Sequence, residues 1–402
     1  MLPIISACCI DSYKPSTLQF VAQSGLNRIV KIALIATAVS VLNHASLSFA
    51  EGVTADTITI GQSAPLTGPT AELGKQMKAG ADAYFESVNQ AGGIGGRKLK
   101  LITLDDAGDP EKTKANTQKL INEENVLALF GYIGAHTINP IMPVLEKSKV
   151  PLIGPVSGDQ NLRDSVIRYI FTTRAGYNEE ADRLIAQLAS RKLTKIALFY
   201  TNDANGRAGL AAVDRAMRER KLNIVIFGTV NRNAVNVESA AQTIAKSGAQ
   251  AIVVVTAANS AAAFVKEIRK LGSAAQISMF STVGAKTLVT LLGDESRGVE
   301  ISQVVPLPFS EAEPLGREYL KRVGGKENAS FLSFEGYIAA RVLVEGIKRS
   351  GKVLTRETLV DGLEKIGAID LGGFRINYSP INHNGSNMVE LTVVGAGGAF
   401  RR

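Results

Sequence analysis

Residues that form covalent, metal or nucleophilic sites are scarce in this sequence. Its 402 residues include two cysteines, Cys8 and Cys9, and three histidines. Both cysteines lie among the first 50 residues, so the remaining chain has no thiol for a disulfide, a nucleophile or a metal site. It also has no G-x-S-x-G motif and no H-x-x-x-H pair, which are typical of hydrolases and zinc sites. We therefore expect a protein that is not an enzyme and needs no metal or cofactor.

Long runs of like charge are absent too. The net charge is +8, from 45 Lys and Arg against 37 Asp and Glu, but the charges are scattered along the chain. This pattern favours solubility over nucleic-acid binding, so we expect no nucleic-acid partner. With 45% hydrophobic residues, 20% charged residues and 13 prolines, the composition is that of a globular protein. The length suits two or three domains.

The first 50 residues have the pattern of a secretory signal peptide. Arg28 and Lys31 precede the uncharged, mostly apolar run 32–42, and the small residues Ser48 and Ala50 stand where a signal peptidase reads. The run is too short to cross a bilayer, which takes roughly 20 residues. We predict a presequence at 1–50 with its signal core at 28–50, cleavage after about Ala50, and export to the periplasm. An uncleaved N-terminal anchor is the alternative.

From residue 57 onward, short apolar runs alternate with longer amphipathic stretches. The spacing first predicts strands at 57–60, 98–104, 126–130 and 151–153, alternating with helices at 72–89, 110–123 and 137–147. A second set has strands at 195–200, 224–229, 251–255 and 277–280, and helices at 206–220, 237–246, 260–271 and 286–292. The C-terminal part adds helices at 314–323, 331–349 and 356–365, and strands at 372–378 and 388–394. Two such sets predict an α/β fold of two doubly wound, Rossmann-like lobes.

Four polar features invite a functional interpretation. The glycines of 92–96 follow a helix and precede a strand, the reverse of a dinucleotide-binding loop, so we interpret them as a turn. Asp105 and Asp106 point to opposite faces of a strand end, which predicts capping and loop-shaping roles rather than a metal site. His136 follows a strand at its carboxyl end, where ligands bind in open α/β sheets, with a helix-cap or surface role as the alternative. His383 lies in a polar turn, and we expect it to face solvent.

Several motifs, in order along the chain, resemble those of one family. They are GQSAPLTG at 61–68, NQAGGIGGR at 89–97, DD at 105–106 with DP at 109–110, VPLIGP at 150–155 and FEGYIAA at 334–340. Together they resemble type I periplasmic binding proteins of the leucine/isoleucine/valine-binding type. The resemblance covers nearly all of residues 54–400.

This resemblance implies two lobes joined by three hinge crossings, with a ligand in the cleft between them. Mapped onto this chain, lobe one comprises 54–173 with 304–378, and lobe two comprises 174–303 with 379–402. The implied function is that of the periplasmic substrate-binding component of an ABC uptake transporter. Such a protein, expected to be a monomer, delivers an amino acid or a related small carboxylate or amide to a membrane permease. The alternatives are a periplasmic sensor for a membrane signalling protein and, less favoured because nucleophiles are scarce, a hydrolase.

The family's ligand contacts fall on positions whose side chains differ from the usual ones. The hydroxyl that meets the ligand carboxylate falls on Ala135, and an aromatic residue of the first loop is replaced by Leu73. The expected ligand-binding residues are Leu73, Ala135, His136, Ser157, Gly158, Tyr177, Asp203, Asn205, Thr282 and Tyr337.

The acid that pairs with the ammonium of an amino acid is also missing, because its position falls near Thr282. An unpaired ammonium in a closed cleft is costly, so either Asp203 replaces that acid or the ligand lacks the amine. Arg174 and Tyr177 lie just past the first crossing. There they could meet an acidic ligand, or serve instead as a hinge salt bridge and as lobe packing.

Overall fold

The computed structural model describes residues 51–402, so the predicted signal peptide and its cleavage point lie outside the described residues. The first part of this chain contains strands β1 (Thr57–Ala64), β2 (Lys98–Asp105), β3 (Ala128–Phe130), β4 (Leu152–Ile153) and β5 (Ile170–Phe171). Between them lie helices α1 (Ala71–Gln90), α2 (Pro110–Asn122), α3 (Ala135–Ile138) and α4 (Met142–Ser148). The strands pair in parallel in the order β2-β1-β3-β4-β5.

The second part of the chain repeats this alternation. It contains helices α5 (Tyr177–Ser190), α6 (Ala204–Glu219), α7 (Glu238–Ala245), α8 (Ala258–Lys270) and α9 (Ala285–Leu292). Its strands are β6 (Ile196–Thr201), β7 (Ile224–Val230), β8 (Ala251–Val255), β9 (Gln276–Met279) and β10 (Glu300–Gln303). Strand β8, whose sequence is AIVVV, is buried along its whole length, as expected for the centre of a parallel sheet.

The C-terminal part contributes to both halves of the molecule. It contains helices α10 (Pro314–Val323), α11 (Phe331–Arg349) and α12 (Arg356–Glu364), and strands β11 (Ala368–Asp370), β12 (Arg375–Asn377), β13 (Glu390–Val394) and β14 (Phe400–Arg401). Helix α11 packs against α1 beside the first sheet, whereas β13 and β14 extend the second sheet in the order β14-β13-β10-β9-β8-β6-β7. The chain therefore passes between the two sheets three times. These features confirm the predicted α/β class with two doubly wound lobes, while the exact lobe limits stay a prediction.

Most predicted helices and strands are present within a few residues of their expected ends, but some regions differ. The helix predicted at 137–147 is broken into α3, a 3-10 turn at Asn139–Ile141 and α4, because Pro140 and Pro143 cannot continue a regular α-helix. Helix α5 and the short strands β5, β10, β11 and β14 have no counterpart in the prediction. The glycines of 92–96 do connect a helix to a strand, as predicted.

The prediction for His383 is wrong, because this side chain is buried. Its ring stacks on Phe171 with the ring centroids 3.9 Å apart, and its Nδ1 lies 3.1 Å from the carbonyl oxygen of Ile167. Its Nε2 lies 3.3 Å from a carboxylate oxygen of Glu364. The neighbouring backbone explains the burial, because Thr172 at the end of the first sheet bridges to Asn384.

Helices α1 and α11 approach closely enough that their backbones touch. A Cβ atom added to Gly80 would lie 1.7 Å from the carbonyl oxygen of Ser333, and one added to Gly336 would lie 2.2 Å from that of Met77. Glycine at both positions is therefore a packing requirement. This contact also fixes the start of α11, which reaches the cleft between the lobes.

A buried ionic cluster connects the two lobes at the first crossing. Arg174 is 1% exposed, and its Nη1 lies 3.3 Å from Glu335 of α11 while its Nη2 lies 3.2 Å from Glu180 of α5. Nη2 also contacts the hydroxyl of Ser281, and the second oxygen of Glu180 accepts from the Ser281 N–H at 2.9 Å and from the Ser302 hydroxyl at 2.6 Å. Of the two roles expected for Arg174, contact with an acidic ligand or a hinge salt bridge, the structure shows the hinge salt bridge.

The close contact of α1 and α11 predicts that Gly80→Ala is destabilising. Helix propensity alone would make this change favourable by about 1 kcal/mol. We expect a net loss of about 1–3 kcal/mol in the free energy of unfolding, because the added methyl group must displace backbone. Urea unfolding measures the change. Ala79→Gly, on the exposed side of the same turn, is the control and should cost about 1 kcal/mol from propensity; a stabilised Gly80→Ala protein would contradict the contact.

The ionic cluster predicts a pH-dependent effect of Arg174→Met. Removing the cation leaves two buried carboxylates uncompensated, and we expect a loss of about 3–5 kcal/mol in unfolding free energy at pH 7. Burial already raises the pKa of Glu335, and without Arg174 that pKa rises further. Because the folded state then binds a proton more tightly than the unfolded state, the deficit relative to the parent protein should shrink as the pH falls towards 5.

Urea unfolding of both proteins at pH 7 and pH 5 measures this dependence. The triple variant Arg174→Met, Glu180→Gln, Glu335→Gln lacks all three charges of the cluster, so its free energy of unfolding should not show the gain at pH 5 that is expected for the single variant. An equal deficit of the single variant at both pH values would contradict the interpretation.

Candidate functional site

A cavity lies between the two lobes, at the carboxyl ends of the strands of both sheets. It encloses about 770 Å³, counting the solvent at its mouth. The loops after β1, β2, β3 and β4 line it from the first lobe, and those after β6, β7, β8 and β9 line it from the second. The edge of a parallel sheet where strands end is the usual position of a ligand site in open α/β folds.

The wall formed by the first lobe is mostly apolar. Its lining side chains carry no charge, and apart from Thr70 and His136 they have no polar group; the apolar ones are Pro65, Leu73, Ile133, Val156 and Leu332. Within residues 51–402, no Phe or Tyr side chain lines the cavity. This wall therefore fits a small aliphatic group.

The wall formed by the second lobe is mostly polar. Its lining residues are Thr201, Asp203, Asn205, Arg232, Asn233, Ala257, Ser260, Ser281 and Thr282. Asp203 and Arg232 are the two charged residues that line the cavity, so its fixed side-chain charges balance. This balance suits a neutral or zwitterionic ligand, because burying an unpaired ligand charge would be costly.

His136 is the polar side chain of the first-lobe wall that directly faces the second lobe. Burial lowers its pKa, and the charge of Arg232 acts in the same direction, whereas the charge of Asp203 opposes them. Its Nδ1 atom is buried and has no hydrogen-bond partner within residues 51–402. A neutral imidazole with a free ring nitrogen is therefore available to a ligand.

Two hydrogen bonds cross the mouth of the cleft from one lobe to the other. Arg232 Nη1 donates to the Gly108 carbonyl at 3.0 Å, and Asn259 Nδ2 donates to the Pro69 carbonyl at 3.1 Å. Because the donors and acceptors belong to different lobes, these bonds require the lobes to be closed. The structure thus represents a closed arrangement of the cleft.

Asp105 and Asp106 shape the first-lobe rim of the cavity rather than its interior. Asp105 accepts from the Thr67 hydroxyl at 2.5 Å and from backbone N–H groups of Leu66, Thr67 and Ala107. Burial opposes the charged form, but these hydrogen bonds prevail and lower the pKa of Asp105 to about 2. Asp106 accepts instead from Ser63, Thr113 and the Gly108 N–H. The loop-shaping role predicted for the pair is confirmed.

The structure brings half of the expected ligand-binding residues to the cavity surface. Leu73, His136, Asp203, Asn205 and Thr282 line it. Tyr177 is buried directly behind this surface, and its hydroxyl reaches Asn205 at 2.7 Å and Thr282 at 3.2 Å.

The other expected residues do not line the cavity. Ser157 and Gly158 are buried beneath Tyr177, whose N–H donates to the Gly158 carbonyl at 2.7 Å. Ala135 is buried at the start of α3. Tyr337 lies in the core of the first lobe, with its ring centroid 5.0 Å from that of Tyr84 and 5.5 Å from that of Tyr319, because α11 turns this residue towards α1 and α10.

Arg232 is the main lining residue that sequence reasoning missed. It follows β7 in the segment Asn231-Arg232-Asn233, at the same sheet edge as the expected residues. Its position after a strand of the second alternating set is the signal that could have identified it. Three other lining residues were missed although their positions gave the same signal. Thr201 and Ser281 directly follow predicted strands, and Ser260 begins the helix predicted after the next strand.

No helix within residues 51–402 is long and apolar enough to cross a membrane. Within the same residues, no group of three His, Cys, Asp or Glu side chains is placed to hold a metal ion.

Comparison with known proteins agrees with this geometry. A family model described as periplasmic binding protein matches residues 57–399. The leucine-, isoleucine-, valine-, threonine-, and alanine-binding protein of Pseudomonas aeruginosa is 24% identical over 327 residues, which cover 80% of this chain and 85% of that protein.

Solved structures agree as well. A possible leucine/isoleucine/valine-binding protein from Rhodopirellula baltica has a TM-score of 0.82 at 29% identity, covering 87% of this chain and 97% of the other. A substrate-binding periplasmic protein from Ralstonia solanacearum has a TM-score of 0.81 at 32% identity, covering 85% and 99%. The chain therefore belongs to the periplasmic binding protein family and has its type I fold.

Proposed function

We propose that this protein is the periplasmic substrate-binding component of an ABC uptake transporter. It binds an amino acid, or a related small carboxylate or amide, in the cleft between its lobes. The observation that carries this proposal is the cavity itself, whose aliphatic wall and polar wall belong to different lobes. Such a division lets a ligand bind one lobe first and then stabilise closure through contacts with the other.

The name of the Pseudomonas aeruginosa relative supports an aliphatic amino-acid ligand, since it includes leucine, isoleucine, valine, threonine and alanine. The absence of Phe and Tyr side chains of residues 51–402 from the cavity lining fits the same ligand size. Asp203 supplies a carboxylate that can pair with an ammonium, and it replaces the acid that is missing at Thr282.

The proposal extends to the cellular setting. The protein would be exported by the signal peptide at 1–50, cleaved after about Ala50, and would act as a monomer that delivers ligand to a membrane permease. Its own binding residues would be Leu73, His136, Asp203, Asn205 and Thr282 together with Arg232.

Isothermal titration of purified residues 51–402 against aliphatic amino acids, carboxylates and amides tests the binding step. A ligand present at 100 times its dissociation constant should also stabilise the protein by about 2.7 kcal/mol, which raises the melting temperature. For transport, uptake of the labelled ligand should be lost when the gene is deleted and restored when it is returned. Binding without any effect on uptake would contradict the transport role.

The location of the site predicts that Ala257→Leu weakens binding. The larger side chain would project from the second-lobe wall into the cavity and exclude the ligand. We expect the dissociation constant to rise at least about tenfold, equivalent to about 1.4 kcal/mol, with little change in melting temperature. Ala79→Leu, on the exposed face of α1, is the matched control and should bind normally. Unchanged affinity of Ala257→Leu would place the ligand elsewhere.

The bonds across the cleft predict that Asn259→Ala weakens binding without changing the cavity lining. Its side chain bonds to the other lobe and does not line the cavity. Loss of one hydrogen bond of about 0.5–1.5 kcal/mol should raise the dissociation constant about twofold to tenfold, through faster dissociation. Surface plasmon resonance separates the two rates. Asn387→Ala, an exposed asparagine outside the cavity, should leave both rates unchanged, and a slower association in Asn259→Ala would contradict the expected mechanism.

A further inference from the structure

The buried hydroxyl of Tyr177 organises the polar wall of the cavity. Its ring lies against Gly158, where an added Cβ would come within 2.3 Å of Tyr177 Cδ1, so the ring has little room to move. Its hydroxyl oxygen lies 2.7 Å from Asn205 Oδ1 and 3.2 Å from Thr282 Oγ1. Tyr177 is 0% exposed, whereas Asn205 and Thr282 both line the cavity.

The single proton of this hydroxyl fixes the direction of both bonds. An amide oxygen can only accept, so the Tyr177 hydroxyl donates to Asn205 Oδ1. The Thr282 hydroxyl must then donate to Tyr177, since the tyrosine proton is already used. Burial raises the pKa of Tyr177, so its hydroxyl keeps the proton. Asn205 is left with its NH₂ group as a donor to the cavity, and Thr282 is left with acceptor capacity only.

Asp203 adds a second acceptor next to these groups. Its Oδ1 accepts from the Gly206 N–H at 2.9 Å at the start of α6. No group within residues 51–402 donates to its Oδ2. The neighbouring Ser281 hydroxyl contributes nothing further, because it donates to Glu180 and accepts from Arg174. Around Tyr177, the polar wall therefore presents the amide donor of Asn205 together with the hydroxyl acceptor of Thr282 and the carboxylate acceptor of Asp203.

We infer that this wall selects a ligand whose polar head donates hydrogen bonds, an ammonium or a primary amide, over a bare carboxylate on the same aliphatic skeleton. This inference rests on the proposed binding of a small aliphatic ligand in the cleft. An amide can donate to Asp203 and Thr282 while its carbonyl accepts from Asn205. An α-amino acid can place its ammonium and its carboxylate in the same way. A bare carboxylate only accepts, and it would bring its oxygens towards those of Asp203 and Thr282.

Other lining groups, among them Arg232, Asn233 and His136, can donate to a carboxylate and so act in the opposite direction. Arg232 is exposed at the mouth, and its Nη1 already donates to Gly108. His136 is kept neutral by the burial that lowers its pKa. A carboxylate held by Arg232 at the mouth is therefore the rival arrangement that the experiment must distinguish.

Isothermal titration with three ligands of one skeleton tests the inference on residues 51–402. The probes are 4-methylpentanoate, 4-methylpentanamide and leucine. We expect the amide and leucine each to bind at least about tenfold more tightly than the carboxylate, since the carboxylate would leave buried polar groups of this wall unpaired. Tighter binding of the carboxylate overturns the inference while leaving the proposed cleft function in place. If none of the three probes binds, both the inference and the proposed cleft function are overturned for ligands with this aliphatic skeleton.

Two substitutions assign the preference to the named residues. Tyr177→Phe keeps the buried ring but frees Asn205 and Thr282 to reorient, so the ratio of amide to carboxylate affinity should fall severalfold. Its melting temperature reports whether the fold is intact, and an unchanged ratio in a folded variant overturns the role of Tyr177.

Asp203→Asn keeps a residue that can cap α6 but removes the negative charge. We expect leucine to lose at least about tenfold in affinity, and the neutral amide to lose clearly less, because a hydrogen bond to a charged group is the stronger one. Asp109→Asn is the matched control, because Asp109 caps α2 in the same way outside the cavity. An equal loss for leucine and the amide overturns the role of the Asp203 charge.

Discussion

The buried charge of Arg174 is the constraint on which the relation between the two lobes depends. A guanidinium without solvent is tolerated only because Glu335 comes from a helix of the first lobe and Glu180 from a helix of the second. The same cluster holds Ser281, which lines the cavity, through its N–H and its hydroxyl. The cavity wall and the hinge therefore share one hydrogen-bonded network, and neither can move far without exposing or unpairing a buried charge.

The division of the cavity into an aliphatic and a polar wall follows from the residues that end the strands of each lobe. In the first lobe, the positions that face the cleft carry Pro65, Ile133 and Val156, whereas those in the second carry hydroxyls, two amides and two charged groups. Tyr177 supports the polar wall from behind, much as the contact of Gly80 with Ser333 supports the position of α11. The shape of the cavity thus depends on buried residues that do not line it.

Residues of the site could be predicted where position along a strand decided their placement. Asp203, Asn205 and Thr282 directly follow strands, and they reach the cavity because parallel strands end at one edge of a sheet. Tyr337 could not be placed in this way, because it lies in a long helix whose rotation is set by packing against α1. Whether Ser157 faces ligand or core likewise depends on Tyr177, which belongs to the other side of the first crossing.

The sequence by itself determined the α/β class, the two alternating sets of strands and helices, and the family resemblance, because these depend on local periodicity and on contiguous motifs. Only the tertiary structure decided that Arg174 pairs with Glu180 and Glu335, that His383 stacks on Phe171, and that Arg232 crosses the cleft to Gly108. Apart from Arg174 with Glu180, these pairs are far apart in the chain or lie on different lobes. Their partners are selected by the packing of whole helices and sheets, which no local pattern records.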